Sequence, residues 1–249
     1  MIQRDERLQQ IRELLGQEGF LTVEELSRRF FISLPTAYRD LRELENQKLI
    51  IRGQGGAMPV AAEKANLPLD LRKTINAAAK DRIGCRAAEL LRPRSVIFLD
   101  ASTTAASMIA HMRTDLDLTV LTNSLDTAMR LKRAGHRTYC VGGSLIGNSV
   151  AVGGKLASDV ADHFRIDTMF FSSYGVDDQG MIIDTEDMES TLRRHLLHKP
   201  ITSVFLCDAT KFGKRSVFRI TSIDMVDYVI SDAPLPASLP SPRLGTLLG

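Results

Sequence analysis

Short helical repeats fill the first part of the chain. Apolar residues recur every three or four positions over residues 8–15, the spacing of a helix with one buried side. Thr22, followed three residues later by Glu25, predicts a capping box for a second helix, and Ser33 predicts the N-cap of a third. The run KLIIRGQGGA then indicates a short strand that leads into a glycine-rich tip. Three helices followed by a small hairpin predict a winged helix in residues 1–57.

The pattern changes further along the chain, where apolar runs typical of strands alternate with helical patterns. Predicted strands cover residues 95–100, 118–122, 137–142, 168–175, 203–208 and 227–231. Predicted helices cover residues 77–91, 103–112, 124–134, 155–164 and 186–198. Continuous apolar strands separated by helices favour a mostly parallel sheet that is covered on both faces. The predicted fold class is therefore α/β, an N-terminal winged helix-turn-helix joined to a larger α/β domain.

Prolines and the loss of periodicity mark the predicted domain boundaries. Residues 58–76 contain two prolines and no sustained pattern, so we expect a linker that closes with a short helical piece. The α/β domain is predicted to cover residues 77–233. Residues 234–249 are proline-rich and are predicted to form a loosely held tail.

Composition limits how the chain can bind other molecules. The formal net charge of its 249 residues is only +2, so any nucleic-acid contact must come from local placement of Arg and Lys. The N-terminus has no apolar signal segment, and no apolar stretch reaches membrane-spanning length. We therefore expect a cytoplasmic protein without a membrane partner.

Cysteine and histidine give no sign of metal chemistry. The three cysteines are far apart, which favours small buried apolar residues over a disulfide or a metal site. The five histidines lack the spacing of metal ligands. We therefore predict no metal site, no cofactor and no catalytic residue.

The third predicted helix, SLPTAYRDLREL, is the candidate DNA-reading element. With Ala37, Leu41 and Leu44 turned inward, other side chains face outward or flank the helix, and they offer hydroxyl, apolar and guanidinium contacts to phosphates and base edges. Arg52, at the start of the wing, is expected to follow the backbone into an adjacent minor groove. The predicted DNA-binding residues are Ser33, Leu34, Thr36, Tyr38, Arg39, Arg42 and Arg52.

An ordinary solvated helix face is the alternative interpretation of this segment. Arg39 and Arg42 lie beside Asp40, Glu43 and Glu45, and such mixtures of charge are common on exposed helices. Asp40 is also placed to hold an arginine of the same small domain. Spacing alone leaves both interpretations open.

Polar loops follow the predicted parallel strands and should lie on one rim of the sheet, where α/β domains bind ligands. A strand that ends in Asp100 leads into hydroxyl residues at a helix start, which is a plausible phosphate cradle, although such residues are also ordinary N-caps. An anionic polyol fits these loops better than an apolar ligand. The predicted effector-binding residues are Asp100, Ser102, Thr103, Thr104, Asn123, Ser124, Gly142, Gly143 and Lys211.

Ordered motifs along the chain resemble the DeoR family of bacterial regulators. In the winged helix they are Arg7 to Ile11, LTVEELSRRF, Ile32, Ser33, Thr36, Arg39, Asp40, Leu41, and LI-x-R-x-x-GGA from Leu49 to Ala57. In the α/β domain they are LDASTT, LTNS, VGG, Gly153, SYGVDDQG and the D-x-TK-x-G motif of Asp208 to Gly213. Tyr38 and Gln54 depart from the family pattern, which usually has an arginine and a histidine there.

The resemblance implies a transcription repressor of a carbohydrate-utilisation operon. It implies a sensor domain related in fold to ribose-5-phosphate isomerase and glucosamine-6-phosphate deaminase. It further implies phosphate binding at Ser102, Thr103 and Thr104 with help from Lys211, and it places Asn123 and the paired glycines near the sugar. The expected partners are double-stranded operator DNA, a phosphorylated sugar and further copies of the chain as a dimer or tetramer.

Two other functions stay open. The first is a sugar-phosphate isomerase or deaminase-like enzyme with an accessory winged helix. The related deaminases carry Asp-Gly-His after a glycine-rich loop, whereas this chain has Gln179 and Met181 there, and neither side chain relays a proton. The second is an interaction module whose winged helix binds protein.

Overall fold

A computed structural model of the chain describes residues 4–18, 21–47, 49–53, 56–59, 68–146, 150–214, 216 and 218–249. The chain divides into two compact units between Ile75 and Asn76. Gln54 and Gly55 of the predicted wing, and residues 60–67 of the predicted linker, lie outside the described residues.

The N-terminal unit contains three main helices and a small antiparallel sheet. Its elements are α1 (Arg4–Glu18), β1 (Leu21–Thr22), α2 (Val23–Arg29), α3 (Leu34–Asn46), β2 (Ile50–Gly53), β3 (Gly56–Pro59) and α4 (Leu69–Thr74). Strand β3 lies between β1 and β2 and is antiparallel to both. This arrangement confirms the predicted winged helix, and α4 is the short helical piece expected in the linker.

Side-chain caps fix the starts of α2 and α3. The Thr22 hydroxyl accepts a hydrogen bond from the Glu25 backbone at 3.1 Å, and the Glu25 carboxylate accepts one from the Thr22 backbone at 2.9 Å. The Ser33 hydroxyl caps α3 in the same way by accepting from the backbone of Thr36. Each cap satisfies a donor that the first helical turn leaves unpaired. The predicted capping box and the predicted N-cap are both confirmed.

Aliphatic side chains from all three helices form the core of this unit. Ile11 and Leu15 of α1, Leu26 of α2, and Leu41 and Leu44 of α3 are buried in one cluster. Burial of such a side chain stabilises the folded state by about 1.5–3 kcal/mol. Packing therefore sets which side of α3 faces inward and which side faces solvent.

The second unit is a three-layer α/β domain. Its helices are α5 (Ala77–Ala88), α6 (Thr103–Ala106), α7 (Leu125–Arg133), α8 (Lys155–Asp162) and α9 (Asp187–Leu197). Its strands are β4 (Val96–Leu99), β5 (Thr119–Thr122), β6 (Arg137–Cys140), β7 (Ser144–Ile146), β8 (Ala151–Gly153), β9 (Thr168–Phe171), β10 (Gly175–Val176), β11 (Met181–Asp184), β12 (Thr202–Leu206), β13 (Phe218–Ser222), β14 (Tyr228–Ser231) and β15 (Gly245–Leu248).

Seven parallel strands form the central sheet in the order β15-β14-β12-β9-β4-β5-β6. Successive side chains point to opposite faces, so Phe98 and Phe171 join one buried cluster while Leu99 and Phe170 join the other. Both faces of the sheet are therefore covered, and the predicted α/β class is confirmed. All six predicted strands are present, with ends that differ by a few residues.

Short antiparallel strands add to this domain and were not predicted. Strands β7 and β8 form a hairpin, and β10, β11 and β13 form a second small sheet. They are two to five residues long. Segments of that length show too little alternation to be recognised from sequence, because their pairing depends on tertiary contacts.

The C-terminal segment corrects the prediction of a loosely held tail. Strand β15 pairs in parallel with β14, from Tyr228 opposite Gly245 to Ser231 opposite Leu248. The backbone of Gly249 also donates to the Ser231 carbonyl at 2.9 Å. The prolines before β15 interrupt helical periodicity, but they do not prevent the last residues from completing the sheet edge.

Two further observations bear on the composition of the chain. Cys207 is buried as expected, but the prediction of burial is wrong for Cys85 and Cys140, whose side chains are exposed. Among the residues that the structure describes, no helix is both long enough and apolar enough to cross a bilayer.

Candidate functional site

The outward side of α3 carries two cations that have no ion-pair partner among the described residues. Arg39 and Arg42 are exposed, whereas the acidic residues beside them pair with arginines outside α3. Those pairs are Asp40 with Arg7, Glu43 with Arg4, and Glu45 with Arg52. The three carboxylates of α3 are therefore paired with cations of other elements. The guanidinium groups of Arg39 and Arg42 stay available for an external anion.

The pair between Arg7 and Asp40 ties α3 to α1. Arg7 donates to the two oxygens of Asp40 at 2.6 and 3.1 Å, and Asp40 is only 1% exposed. This bidentate hydrogen bond raises the pKa of Arg7. The expectation that Asp40 holds an arginine of the same domain is confirmed, and its partner is Arg7.

The remaining predicted residues of α3 divide into capping groups and exposed groups. The hydroxyls of Ser33 and Thr36 lie 2.9 Å apart, and Ser33 also caps the helix. Leu34 and Tyr38 are exposed to 42% and 48%. The N-terminal turns of α3 thus present hydroxyl, apolar and aromatic groups to solvent.

Arg52 lies on β2 of the wing and is held within the N-terminal unit. Its Nε atom lies 2.7 Å from a carboxylate oxygen of Glu45. Both side chains are roughly one-third exposed, so the pair contributes little to stability. The tip beyond Gly53, at Gln54 and Gly55, is outside the described residues.

The predicted effector residues follow the carboxyl ends of neighbouring parallel strands. Asp100 and the hydroxyl residues follow β4, Asn123 and Ser124 follow β5, the paired glycines follow β6, and Lys211 follows β12. In the sheet order β4, β5 and β6 are consecutive, and β9 lies between β4 and β12. The sheet order therefore places all of these loops along one rim, as expected for parallel strands.

Asp100 is held by donors of the protein itself, and its contact with an effector stays a prediction. It is 1% exposed, and its Oδ1 atom accepts from the Ser102 backbone at 3.0 Å. Its Oδ2 atom accepts from the Ser172 backbone at 3.2 Å and from the Arg193 guanidinium at 2.8 and 3.0 Å. Because protein donors occupy both oxygens, Asp100 positions the turn after β4 and the loop after β9.

Arg193, on α9, is the centre of a buried charge cluster that sequence reasoning missed. Its guanidinium also bonds Asp184 at 2.7 Å and Glu189 at 2.8 Å, and its side chain is 4% exposed. Burial alone would lower the pKa of Arg193, but the carboxylates of Asp100, Asp184 and Glu189 outweigh it and raise that pKa. Arg193 therefore stays charged and fixes Asp100. No sequence signal identifies it, because Asp100 is 93 residues away.

The hydroxyl residues after Asp100 form the first turn of α6. The Ser102 hydroxyl accepts from the Ala105 backbone at 3.0 Å and so acts as an N-cap. Thr103 is half-buried and Thr104 is buried. The ordinary capping interpretation is therefore correct for Ser102, and phosphate binding at this turn stays a prediction.

Lys211 reaches from the loop after β12 to the loop after β9. Its Nζ atom donates to the Ser172 hydroxyl at 2.8 Å and to the Ser173 carbonyl at 2.5 Å. Lys211, Ser172, Asp100 and Ser102 are thus joined by successive hydrogen bonds along the rim. The lysine and the hydroxyl turn predicted from sequence belong to one connected network.

Asp208 adds a charge to this network that was not predicted as part of the site. Burial raises the pKa of Asp208, but the ammonium of Lys211, hydrogen bonds from Thr210 and the charge of Lys80 together lower it below its ordinary value. Lys80 is itself 7% exposed. Two lysines therefore place positive charge around one carboxylate at the end of β12.

Asn123 and Ser124 are buried where β5 ends. The Asn123 amide donates to the Val152 carbonyl at 3.3 Å, but its Oδ1 atom has no hydrogen-bond partner among the described residues. Ser124 caps α7 by accepting from the Thr127 backbone at 3.2 Å. A buried acceptor without a donor is costly. Asn123 is therefore the predicted effector residue most in need of an external donor.

The paired glycines after β6 differ in the space around them. Gly143 has a φ of +130°, and a Cβ there would lie 2.2 Å from the Gly153 carbonyl oxygen. Gly142 has no neighbouring atom within 4 Å of such a Cβ. Gly143 is therefore required for close approach of the chain to β8.

The segment that carries Gln179 and Met181 is a hairpin turn between β10 and β11. The backbone N–H groups of Gln179 and Met181 donate to the Asp177 carboxylate at 2.9 and 2.8 Å. An amide and a thioether do not exchange protons at neutral pH. The turn between β10 and β11 therefore supplies no proton relay at these two positions.

Two family models match the chain over consecutive segments. The DeoR-like helix-turn-helix domain matches residues 7–62, and the DeoR C terminal sensor domain matches residues 75–233. These segments correspond to the winged helix and to most of the α/β unit.

Curated relatives align with the chain over nearly its whole length. It is 31% identical to the glycerol-3-phosphate regulon repressor of Escherichia coli, over 91% of this chain and 90% of that protein. It is also 31% identical to the L-fucose operon activator of Haemophilus influenzae, over 92% of each. Among solved structures, ribose 5-phosphate isomerase A from Methanocaldococcus jannaschii is similar over 55% of each chain, with 17% identity and a TM-score of 0.42.

Proposed function

Because the chain belongs to the DeoR family of DNA-binding transcriptional regulators, we propose that it represses a carbohydrate-utilisation operon under control of a phosphorylated sugar. The α/β unit binds the sugar phosphate, and the winged helix binds operator DNA. The effector acts by preferring one of two arrangements that differ in operator affinity, since equal affinity for both would change nothing.

The observation that carries the DNA-binding part is the pairing pattern around α3. Three acidic side chains of this helix are directed to arginines on other elements, which leaves Arg39 and Arg42 exposed without an ion pair among the described residues. A merely solvated face would pair its own charges along the helix. We assign Arg39 and Arg42 to phosphate or guanine contacts and Arg52 to the backbone near the wing.

The effector part is supported by the rim network. Lys211 supplies a cation, the turn at Thr103 and Thr104 carries side-chain hydroxyls, and the Oδ1 atom of Asn123 is a buried acceptor without a partner among the described residues. An anion with hydroxyl groups matches this combination. Asp100, Ser102 and Ser124 support the crevice from within the protein.

We assign no enzymatic turnover to the crevice. The turn after β10 presents Gln179 and Met181, and their backbone N–H groups both donate to the Oδ1 atom of Asp177. An amide and a thioether at these two positions suit a sensor better than an enzyme that moves protons.

We further infer that copies of the chain associate through the α/β unit, so that paired winged helices occupy repeated half-sites. Strand β6 is an edge of the central sheet, and three of its four residues are exposed. Met129, on the neighbouring helix α7, is 52% exposed. Met129→Glu should weaken association in light-scattering measurements. Met225→Glu is the control, because Met225 is equally exposed at 51% and lies just before β14, at the other end of the sheet order from β6. Equal effects would contradict this interface.

The central experiment is a fluorescence anisotropy titration with the DNA upstream of the protein's own gene. We expect specific binding that weakens steeply with salt. A panel of sugar phosphates should then release the DNA at graded concentrations. Enhanced binding would instead identify an activating effector, and turnover of the sugar phosphates at an enzymatic rate would overturn the assignment as a regulator.

Matched variants separate the two units. Arg39→Ala with Arg42→Ala should weaken binding and reduce the slope of log affinity against log salt by about 1 for each lost phosphate contact. Arg113→Ala, at an exposed position of the α/β unit, should leave the slope unchanged. Lys211→Met should keep operator binding and lose the response to sugar phosphate. Lys155→Met, at a position 86% exposed, should keep both.

A further inference from the structure

The turn between α2 and α3 contains an aromatic residue in an unusual environment. Phe31 has a φ of 51°, in the left-handed region, and is 95% exposed. The Ile32 backbone donates to the Ser27 carbonyl at 3.0 Å, and the Ser27 hydroxyl donates to the Ile32 carbonyl at 2.5 Å. The first of these bonds closes a Schellman motif at the end of α2, with Phe31 at the position that glycine usually occupies.

Neither folding nor solubility explains phenylalanine at this position. The left-handed conformation brings the Cβ atom close to the backbone and is unfavourable for bulky side chains. The ring contributes almost no packing, because nearly all of it is in solvent. Strained and exposed residues of this kind are associated with function.

Phe31 is one of three exposed apolar side chains close in sequence to Arg39 and Arg42, the two cations of α3 without an ion pair among the described residues. Among the described residues of the N-terminal unit, the exposed large hydrophobic side chains are Phe31, Leu34 and Tyr38. All three lie within eight consecutive residues; Arg39 follows Tyr38 directly, and Arg42 lies three residues further on. Duplex DNA is the partner whose chemistry fits, because its phosphates match the guanidinium groups and its major groove exposes the apolar C5-methyl of thymine.

We propose that Phe31 is a specificity-determining DNA contact whose ring packs against a thymine methyl group at the edge of the major groove. This inference rests on the proposed DNA-binding function and adds a residue outside the predicted reading set. It predicts that one substitution has opposite effects on folding and on binding. Removal of the ring relieves the strain of the left-handed backbone, which stabilises the fold, and it removes the contact with the thymine methyl group, which weakens DNA binding.

The test uses full-length Phe31→Gly and the operator fragment described above. Glycine adopts the left-handed conformation freely, so the variant should melt about 4 °C higher in the N-terminal unit. Its dissociation constant for the operator should rise roughly fivefold to thirtyfold. The salt slope should stay unchanged, because no phosphate contact is lost. This last result separates Phe31→Gly from Arg39→Ala, which should reduce the slope.

A base substitution identifies the group that the ring contacts. Replacing thymine by deoxyuridine throughout the operator removes the methyl groups and should weaken binding of the wild-type protein. Phe31→Gly should lose clearly less on the same replacement, because its methyl contact is already absent. Equal losses in the two proteins would overturn the methyl contact.

A control variant tests whether relief of strain alone alters DNA binding. Arg94 also has a positive φ, of 61°, and lies at an exposed turn of the α/β unit. Arg94→Gly should leave operator affinity unchanged. If Phe31→Gly binds the operator as tightly as the wild type while Arg39→Ala does not, the role of Phe31 is refuted and the DNA-binding function stands. If the wild type binds no operator, the proposed function and this inference both fail.

Discussion

Replacing Arg193 by methionine tests how much the α/β unit depends on its buried charge cluster. Methionine approximates the length of the arginine side chain but supplies no charge and no donors. The substitution removes four hydrogen bonds, two to Asp100 and one each to Asp184 and Glu189. It leaves three carboxylates close together in a region from which solvent is largely excluded.

The expected loss follows from the burial of the partners. Removing one member of a buried ion pair typically costs about 3–5 kcal/mol, because the remaining charge loses its compensation. In a domain of this size each kcal/mol lowers Tm by roughly 2–4 °C. We therefore expect the α/β unit of Arg193→Met to melt about 10 °C below that of the wild type.

Arg194→Met, one residue further along α9, is the matched control. Arg194 bonds Asp187 at 3.1 Å, the Thr191 hydroxyl at 2.9 Å and the Arg219 carbonyl at 2.7 Å, but the side chains of Arg194 and Asp187 are substantially exposed, at 34% and 58%. Exposed pairs of this kind contribute about 0–1 kcal/mol. Differential scanning calorimetry of both variants compares the same substitution in a buried and an exposed position.

Equal destabilisation by Arg193→Met and Arg194→Met would refute the assignment of the cluster as a buried electrostatic anchor.

Three further outcomes are expected. Thr22→Ala should lower the stability of the winged helix by about 1 kcal/mol in urea unfolding. Hydrogen bonds from Thr22 lower the pKa of Glu25. The stability that the capping box contributes should therefore be present at neutral pH and be lost as pH falls below about 4.5. A capping contribution that persists at acid pH would contradict this. Gly143→Ala should strongly destabilise the α/β unit through its clash at 2.2 Å, and Gly142→Ala should have little effect. Deleting residues 245–249 should lower the Tm of the α/β unit, whereas an unchanged Tm would mean that β15 contributes nothing.

Local signals made much of the fold predictable. Thr22 and Ser33 define the starts of two helices by capping chemistry that acts over three residues. Buried apolar runs such as residues 95–100 define parallel strands, because both faces of the sheet must be covered. Strands β7, β10 and β15 were missed because their pairing depends on segments remote in sequence or on too few residues to show a pattern.

The candidate site was predictable by location and less so by role. Rim position follows from the ends of parallel strands, which placed Asn123 and Lys211 correctly in the sheet order. The role of Asp100 depends on Arg193, and no local rule connects residues so far apart. The conformation of Phe31 was equally hidden, because a left-handed phenylalanine contradicts ordinary backbone preferences.

The bidentate hydrogen bond between Arg7 and Asp40 limits how the effector can alter operator binding. Arg7 of α1 donates to both oxygens of Asp40, which is almost inaccessible to solvent. A tilt of α3 relative to α1 would break these bonds and leave the Asp40 carboxylate buried and unpaired. We therefore expect α1 and α3 of the winged helix to move together as one rigid body. Effector binding would then leave the internal structure of the winged helix unchanged. Amide exchange within α3 should be the same with and without the effector.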